Sequence, residues 1–113
     1  MKRGEIWTAS GGPGYAGKPR PVIVVQADEF DETVSITICP LTTHSIGTRH
    51  ARAAVEPTPD NGLNESCFAM ADKITTIPRT RLGKRLGTLK PTALAPINQA
   101  MLVFLGLAGS VRG

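Results

Sequence analysis

The stretch Pro21-Val22-Ile23-Val24-Val25 decides how this chain folds. Four of its five residues are β-branched, and such side chains favour an extended backbone because they pack well on a pleated surface. A continuous apolar run, as opposed to an alternating one, is typical of a central strand that is buried on both faces. We therefore predict that residues 21–25 form the central strand of a β-sheet.

Segments on both sides of this run also have strand character, and glycine and proline residues separate them. Residues 3–10 predict a short first strand. After an acidic turn, residues 34–39 alternate apolar and small polar side chains. Because side chains alternate between the two faces of a strand, Val34, Ile36 and Ile38 are expected on the core face.

The remainder of the chain predicts further short strands and one late helix. Weaker strands are expected over residues 51–55, 67–71 and 73–77, whereas residues 82–89 are ambiguous between a strand and an irregular segment. Apolar side chains recur with a helical period only near the end, at Leu94, Ile97, Met101 and Leu105. Proline fits only in the first turn of a helix, so this helix should start between Pro91 and Pro96. This pattern indicates a mainly β (α+β) fold, a small and strongly bent barrel with a C-terminal helix.

Length, composition and charge restrict the class of protein. The 113 residues fit a single domain over residues 1–113, and 41% of them are hydrophobic, which is enough for one core. Because there is no apolar run of about 18 residues and no signal-peptide pattern, we expect a soluble, cytoplasmic protein. The formal net charge of +4 favours a polyanionic partner such as nucleic acid, although such a charge also serves solubility alone.

The two cysteines, Cys39 and Cys67, lack metal-binding or redox spacing. Neither belongs to a Cys-x-x-Cys pair, and no His and Cys residues have zinc-site spacing. This favours buried, reduced thiols that act as small apolar side chains, with a disulfide between them as the open alternative.

Four local patterns follow one another along nearly the whole chain. They are Lys2-Arg3-Gly4-Glu5-Ile6-Trp7, Gly17-Lys18-Pro19-Arg20-Pro21-Val22-Ile23-Val24-Val25-Gln26, Ile38-Cys39-Pro40-Leu41-Thr42-Thr43 and, more loosely, Ala71-Asp72-Lys73-Ile74-Thr75-Thr76-Ile77. Each pattern is weak alone, but their joint order and spacing are specific. In these residues the chain resembles the MazF/PemK family of bacterial toxins.

The resemblance implies an SH3-like barrel of the CcdB/PemK type that forms a homodimer and binds single-stranded RNA. It implies an mRNA interferase, the toxin of a type II toxin–antitoxin system, which a cognate MazE-like antitoxin inhibits. Such toxins are sequence-specific endoribonucleases that need no metal or other cofactor. The recognition sequence depends on loop shapes that no sequence rule decodes.

By the same resemblance, Arg20 and Thr42 form the catalytic pair. The expected reaction is attack of a ribose 2′-hydroxyl on the adjacent phosphate, which leaves a 2′,3′-cyclic or 3′-phosphate and a 5′-hydroxyl. A guanidinium presents a planar fork of N–H donors to two phosphoryl oxygens, and donors aimed at the developing negative charge stabilise the transition state. Since RNA supplies its own nucleophile, the chemistry needs no metal, in agreement with the lack of a carboxylate cluster in the sequence.

The group that removes the 2′-proton is a separate question, because arginine is a poor general base. His44 follows Thr42 by two positions and would share its face if the strand continued. The alternatives are a water molecule as the base and an exposed loop histidine without a catalytic role.

Several other residues are candidates for RNA contact, and three of them have a structural alternative. The candidates are Arg3, Tyr15, Lys18, Thr43 and Asp72. Arg3 could instead be a charged strand edge, Lys18 a solvated side chain, and Asp72 a turn cap or the partner of an arginine. Tyr15 is favoured as a base-stacking residue because it lies in a glycine-rich loop.

Further basic and aromatic residues have their own interpretations. The densest basic stretch consists of Arg79, Arg81, Lys84 and Arg85. It is either a solvated face or a site for an acidic antitoxin tail or an RNA backbone. Trp7 and Phe68 are predicted to be core anchors and not stacking platforms.

Two other functions are compatible with the same barrel. One is inhibition of DNA gyrase, as in the CcdB-like sister family, but residues 109–113 lack the aromatic residue that this activity would require by resemblance. The other is a non-catalytic RNA-binding barrel, against which the presence of both Arg20 and Thr42 argues.

Overall fold

The computed structural model describes residues 1–11, 18–44 and 51–109. Over these residues the chain forms seven strands followed by one α-helix. They are β1 (Glu5–Ala9), β2 (Arg20–Val24), β3 (Ser35–Thr42), β4 (Arg52–Val55), β5 (Cys67–Met70), β6 (Thr75–Pro78), β7 (Leu82–Thr88) and α1 (Pro91–Phe104). Short 3-10 turns lie at Asp28–Phe30, Ala71–Lys73 and Arg79–Arg81. The ambiguous segment 82–89 is therefore a strand.

All strand pairs are antiparallel, in the order β4-β5-β3-β2-β1-β7. β3 is the longest strand and has β2 along one edge. Its other edge is shared, because β6 pairs with its first half and β5 with its last two residues. β3 therefore joins β2 on one side to β5 and β6 on the other. Its last residues lie beside the first residues of β2.

The sheet buries apolar side chains on both of its faces. Ile36 and Ile38 of β3 belong to one cluster, whereas Cys39 and Leu41 belong to another that also contains Leu94 and Ile97 of α1. In β2, Val22 and Val24 enter the first cluster and Ile23 enters the second, all of them fully buried. The prediction of a central strand with two buried faces is confirmed.

Three details of the sequence-based prediction are wrong. Val34 is 87% exposed, because β3 begins only at Ser35 and the core alternation starts with Ile36. Pro96 lies in the interior of α1, on its exposed side, so the missing hydrogen bond to the Thr92 carbonyl is at the solvent-facing surface. Leu105 is 52% exposed because α1 ends at Phe104.

Within the described ranges, no helix is long and apolar enough to cross a membrane.

Gly62 lies in the turn before β5, and a comparison with Gly106, which follows α1, tests how tightly that turn packs. Gly62 and Gly106 both have a positive φ, of 72° and 74°. A Cβ on Gly62 would lie 2.1 Å from the Leu86 carbonyl oxygen, whereas one on Gly106 would meet nothing within 4 Å. Left-handed backbone strain of about 1–2 kcal/mol applies to both alanine variants, and overpacking adds about 1–3 kcal/mol at Gly62 alone.

We therefore expect Gly62→Ala to lower the free energy of unfolding by roughly 3 kcal/mol or more, and Gly106→Ala by about 1 kcal/mol. Urea denaturation of the two variants and the wild type measures the difference. Equal destabilisation by both substitutions would contradict the described packing of Gly62 against β7.

Candidate active site

The pairing of β2 with β3 determines where Arg20 and Thr42 lie. Val22 pairs with Pro40, Ile23 with Cys39 and Val24 with Ile38. Continued to the first residue of β2, this antiparallel register sets Arg20 opposite Thr42, the last residue of β3. Directly opposed residues have Cα atoms about 4.5–5.5 Å apart, and their side chains share a face. The register therefore brings the two predicted catalytic residues together.

The same row of the sheet continues on both sides of this pair. Arg20 pairs with Ala9 of β1, and Thr42 pairs with Phe68 of β5, which in turn pairs with Ala54 of β4. The row Ala9, Arg20, Thr42, Phe68, Ala54 thus crosses five adjacent strands. Because paired residues direct their side chains to the same face, the row forms a strip along one face of the sheet. Ala9 is buried in the core at one end of the strip, so its accessible part runs from Arg20 to Ala54.

Thr42 has a partly buried side chain whose orientation is fixed locally. Its Oγ1 accepts a hydrogen bond from the backbone N–H of His44 at 3.2 Å. A hydroxyl has one hydrogen to donate and two acceptor lone pairs, so this bond leaves the Thr42 O–H able to donate to a ligand. Thr43 and His44 are exposed and lie beyond the end of β3. The condition for His44 to share the face of Thr42, a strand that continues, is therefore not met.

Arg20 and Lys18 supply positive charge at this edge of the sheet. Both side chains are exposed. With the residues that the structure describes, neither makes an ion pair or a side-chain hydrogen bond. An exposed, unpaired guanidinium beside a hydroxyl donor is suited to binding an anion such as a phosphodiester.

Arg3 lies at the opposite end of β2. Its Nε donates to the Val25 carbonyl oxygen at 2.9 Å and its Nη2 to Oδ1 of Asn98 in α1 at 2.5 Å. Val25 is five residue steps from Arg20 along extended chain, a length of about 16 Å. The structure therefore does not bring Arg3 together with Arg20 and Thr42, and its guanidinium connects the sheet to the helix.

Asp72 forms a two-point ion pair with Arg52. Nε of Arg52 lies 2.8 Å from Oδ1 and Nη2 lies 3.2 Å from Oδ2. The side chains of Arg52 and Asp72 are only 14% and 15% exposed, and the hydrogen bond from Arg52 lowers the pKa of Asp72. Of the interpretations of Asp72, the structure shows the pairing with an arginine. The predicted stacking residue, Tyr15, lies outside the described residues.

Three arginines of the basic stretch 79–85 are engaged within the chain. Arg79 pairs with Asp31 at 3.2 Å, and Arg85 pairs with Glu5 at 3.3 Å. Arg81 donates from its Nε to the Ser10 carbonyl oxygen at 2.7 Å and from its Nη2 to that of Gly11. These contacts indicate a structural role for the stretch, because the cations hold neighbouring strands and turns.

Both cysteines are free, buried thiols, as the sequence favoured. Burial raises the pKa of Cys39 to about 12 and also raises the pKa of Cys67. Since the thiolate is the reactive form, neither cysteine is a nucleophile near neutral pH.

The two residues that were predicted to be aromatic core anchors, Trp7 and Phe68, differ in whether they pack against the core. Trp7 packs against the cluster around Val22 and donates from its Nε1 to Glu5 at 3.0 Å, so it is a core anchor. Phe68 is only partly buried, and neither core cluster of the described residues includes it. The prediction of a core role for Phe68 is wrong, because β5 directs Cys67 and Ala69 to the core and Phe68 to the opposite face. Alternation in the sequence does not indicate this, because all four residues of β5 are apolar.

The fold and this edge define a small antiparallel barrel with an arginine and a threonine opposed at two strand ends. A family model described as the PemK-like, MazF-like toxin of type II toxin–antitoxin systems matches residues 2–105. The chain therefore belongs to this toxin family, and the resemblance in its four local patterns is confirmed. The expected fold class, a mainly β barrel with a C-terminal helix, is also confirmed.

Relatives cover nearly the full length of the chain. A probable endoribonuclease MazF of Mycolicibacterium smegmatis is 46% identical over 109 residues, which are 96% of this chain and 100% of that protein. Endoribonuclease MazF9 of Mycobacterium tuberculosis is 29% identical, with coverages of 95% and 98%. A mycobacterial endoribonuclease solved in complex with its cognate antitoxin has a TM-score of 0.79 and 26% identity, with coverages of 97% of this chain and 99% of that chain.

The Arg52–Asp72 pair predicts a pH-dependent contribution to stability. Because the folded-state pKa of Asp72 is lowered, the pair stabilises the fold above the unfolded-state pKa of about 3.9 and loses this contribution as the pH falls through the folded-state pKa. We expect Asp72→Asn to reduce the free energy of unfolding by about 1–3 kcal/mol between pH 5 and 7, with a smaller difference from wild type below about pH 4.

Denaturant unfolding of wild type and Asp72→Asn across this pH range measures the effect. Asp60→Asn is a matched control, because Asp60 and Lys90 form an exposed ion pair at 3.6 Å. Such pairs contribute less than about 1 kcal/mol. A difference for Asp72→Asn that stayed constant down to pH 2 would exclude the ion pair as its source.

Proposed function

We propose that the chain is a toxin with metal-independent endoribonuclease activity, which cleaves single-stranded mRNA in the cytoplasm. The observation that carries this proposal is the register that sets the exposed Arg20 opposite the oriented hydroxyl of Thr42. Two relatives with nearly full coverage are named as a probable endoribonuclease and an endoribonuclease, which supports the same activity.

In the proposed reaction, the 2′-oxygen of a ribose attacks the adjacent phosphorus and the bond from phosphorus to the 5′-oxygen breaks. The products are a 2′,3′-cyclic phosphate, open to hydrolysis to a 3′-phosphate, and a 5′-hydroxyl that takes up a proton. The pentacoordinate transition state carries more negative charge on its non-bridging oxygens than the diester does. Arg20 donates two N–H groups to these oxygens and Thr42 donates its O–H, so both stabilise the transition state more than the ground state.

We expect water to take the proton of the 2′-hydroxyl, because β3 ends at Thr42 and His44 does not continue the strand on the same face. An imidazole base would make the single-turnover rate rise between pH 5 and 8. The pH profile of His44→Ala distinguishes the two acceptors, because removing a histidine base would abolish that rise.

We further propose that the toxin is a homodimer whose RNA groove uses both subunits, and that an antitoxin's acidic tail competes with RNA for this groove. The exposed cations Lys18 and Arg20 would bind such a tail as they bind RNA. The mycobacterial relative solved with its cognate antitoxin supports an inhibitor of this kind. Sedimentation at micromolar concentration tests the dimer.

Cleavage in the presence of EDTA is the direct test of the proposed activity. Purified protein should cleave a long single-stranded transcript without metal and leave 5′-hydroxyl ends that a polynucleotide kinase labels without prior phosphatase treatment. Arg20→Ala should lose at least about 10²–10³-fold in single-turnover rate, as expected when a donor to transition-state charge is removed. A requirement for magnesium, or 5′-phosphate ends, would contradict the 2′-hydroxyl mechanism.

Thr42 and Thr43 are adjacent threonines that provide an internal comparison. Thr42→Val keeps the shape and removes the hydroxyl, so we expect a loss of about 10²-fold or more. Thr43→Val removes a hydroxyl beyond the strand end and should cost less than about tenfold, or 1.4 kcal/mol. Single-turnover rates on the same RNA provide the measurement, and the reverse ranking would show that the strand end is displaced by one residue.

A further inference from the structure

Phe68 is an aromatic side chain that belongs to neither core cluster of the described residues. It lies in β5, where its neighbours Cys67 and Ala69 enter the core cluster and Phe68 faces the other surface of the sheet. Its side chain is partly exposed, although a phenylalanine of this size would normally contribute to a core. A rigid strand holds this ring next to Thr42, where its face can stack on a flat ligand group.

The position of Phe68 relative to the candidate active site is fixed by two strand pairings. Phe68 is the direct cross-strand partner of Thr42, which is in register with Arg20. Adjacent strands lie about 4.8 Å apart, so Phe68 is about 10 Å from Arg20 along the row. The outer neighbour in the row, Ala54, is exposed and has only a methyl group. The strip thus places the cation of Arg20, the hydroxyl of Thr42 and the ring of Phe68 side by side on one face of the sheet.

We infer that Phe68 stacks on the nucleobase of a nucleotide that flanks the scissile phosphate. This inference rests on the proposed ribonuclease function. If Arg20 and Thr42 hold the phosphate, the attached nucleotide extends along the strip, and its base meets the ring of Phe68. Aromatic side chains bind unpaired bases by stacking, and this contact tolerates any base because every base has a π-face.

The consequence is a selectivity for single strands that does not depend on sequence. In a duplex the bases are stacked on one another and paired, so a flanking base cannot lie on Phe68. An unpaired nucleotide gains this contact in addition to the phosphate contacts. Phe68 is therefore a substrate-binding residue that selects unpaired RNA at the cleavage position.

Substitution of Phe68 tests the contact, with a second phenylalanine as the matched control. Phe68→Leu keeps apolar volume but removes the π-face, and Phe68→Tyr keeps both. Since stacking contributes about 1–3 kcal/mol per base, Phe68→Leu should lower kcat/KM on single-stranded RNA roughly five- to 150-fold, while Phe68→Tyr stays within about threefold. Phe30→Leu should leave kcat/KM unchanged, because Phe30 is 55% exposed in a turn beyond the other end of β2.

An abasic scan separates stacking from a structural effect. A cleavage site is first mapped in a long transcript, and oligonucleotides of that site are then made with one base removed at each flanking position. The wild type should lose rate strongly when one particular flanking base is missing, and Phe68→Leu should be insensitive at that position only. A merely structural role of Phe68 would instead give the same pattern of sensitivity in both proteins.

A measurement on the wild type alone covers the case in which Phe68→Leu does not fold. An oligonucleotide with 2′-deoxyribose at the cleaved nucleotide lacks the nucleophile and remains intact, and 2-aminopurine at the flanking position reports stacking. Fluorescence at that position should fall when the protein binds, and a rise would overturn the inference.

Unchanged kcat/KM for Phe68→Leu, or identical abasic sensitivity, would overturn the inference while the ribonuclease proposal stands. Absence of RNA cleavage by the wild type would overturn both.

Discussion

Burial on both faces fixes how β2 pairs with β3, and the candidate active site follows from that pairing. Val22 and Val24 enter one cluster and Ile23 enters the other, all fully buried. A slip of one residue would turn each of these side chains to the wrong face, so the register is strongly specified. The same register sets Arg20 opposite Thr42 at the strand ends, although neither of these residues is part of the core. The positions of these two residues in the candidate active site are thus a consequence of packing elsewhere.

Ion pairs and hydrogen bonds to carbonyl oxygens hold the segments that flank the candidate active site. Arg81 donates to the carbonyl oxygens of Ser10 and Gly11 directly after β1. The backbone N–H of Ala71 donates to the Ala51 carbonyl oxygen at 2.8 Å, beside the pair of Arg52 and Asp72 at the start of β4. Because arginine offers a rigid fork of donors, each contact restrains backbone that leads to or from the site. Of the basic stretch at residues 79–85, Arg81 serves this purpose.

Strand character could be predicted from the sequence, because the run at residues 21–25 is a dense signal. The local motifs led to Arg20 and Thr42, the candidate pair that the register of β2 and β3 brings together. The burial of residues near the end of an element could not be predicted from the sequence pattern, because it depends on where the element begins. Val34 continues the apolar alternation but precedes β3, and only the structure shows that β3 starts at Ser35. The role of Phe68 was missed because an aromatic residue in an apolar strand resembles a core residue until its neighbours are known to occupy the core.

A double-mutant cycle on Arg20 and Thr42 tests most directly whether the two residues act on one phosphate. The single-turnover rates of Arg20→Ala, Thr42→Val and the double variant are compared with the wild type. Residues that stabilise the same transition state are coupled, so the double variant should be slowed far less than the product of the single losses, with a coupling of at least about 1.4 kcal/mol. Losses that simply multiply would show independent roles and contradict a shared phosphate site at the paired ends of β2 and β3.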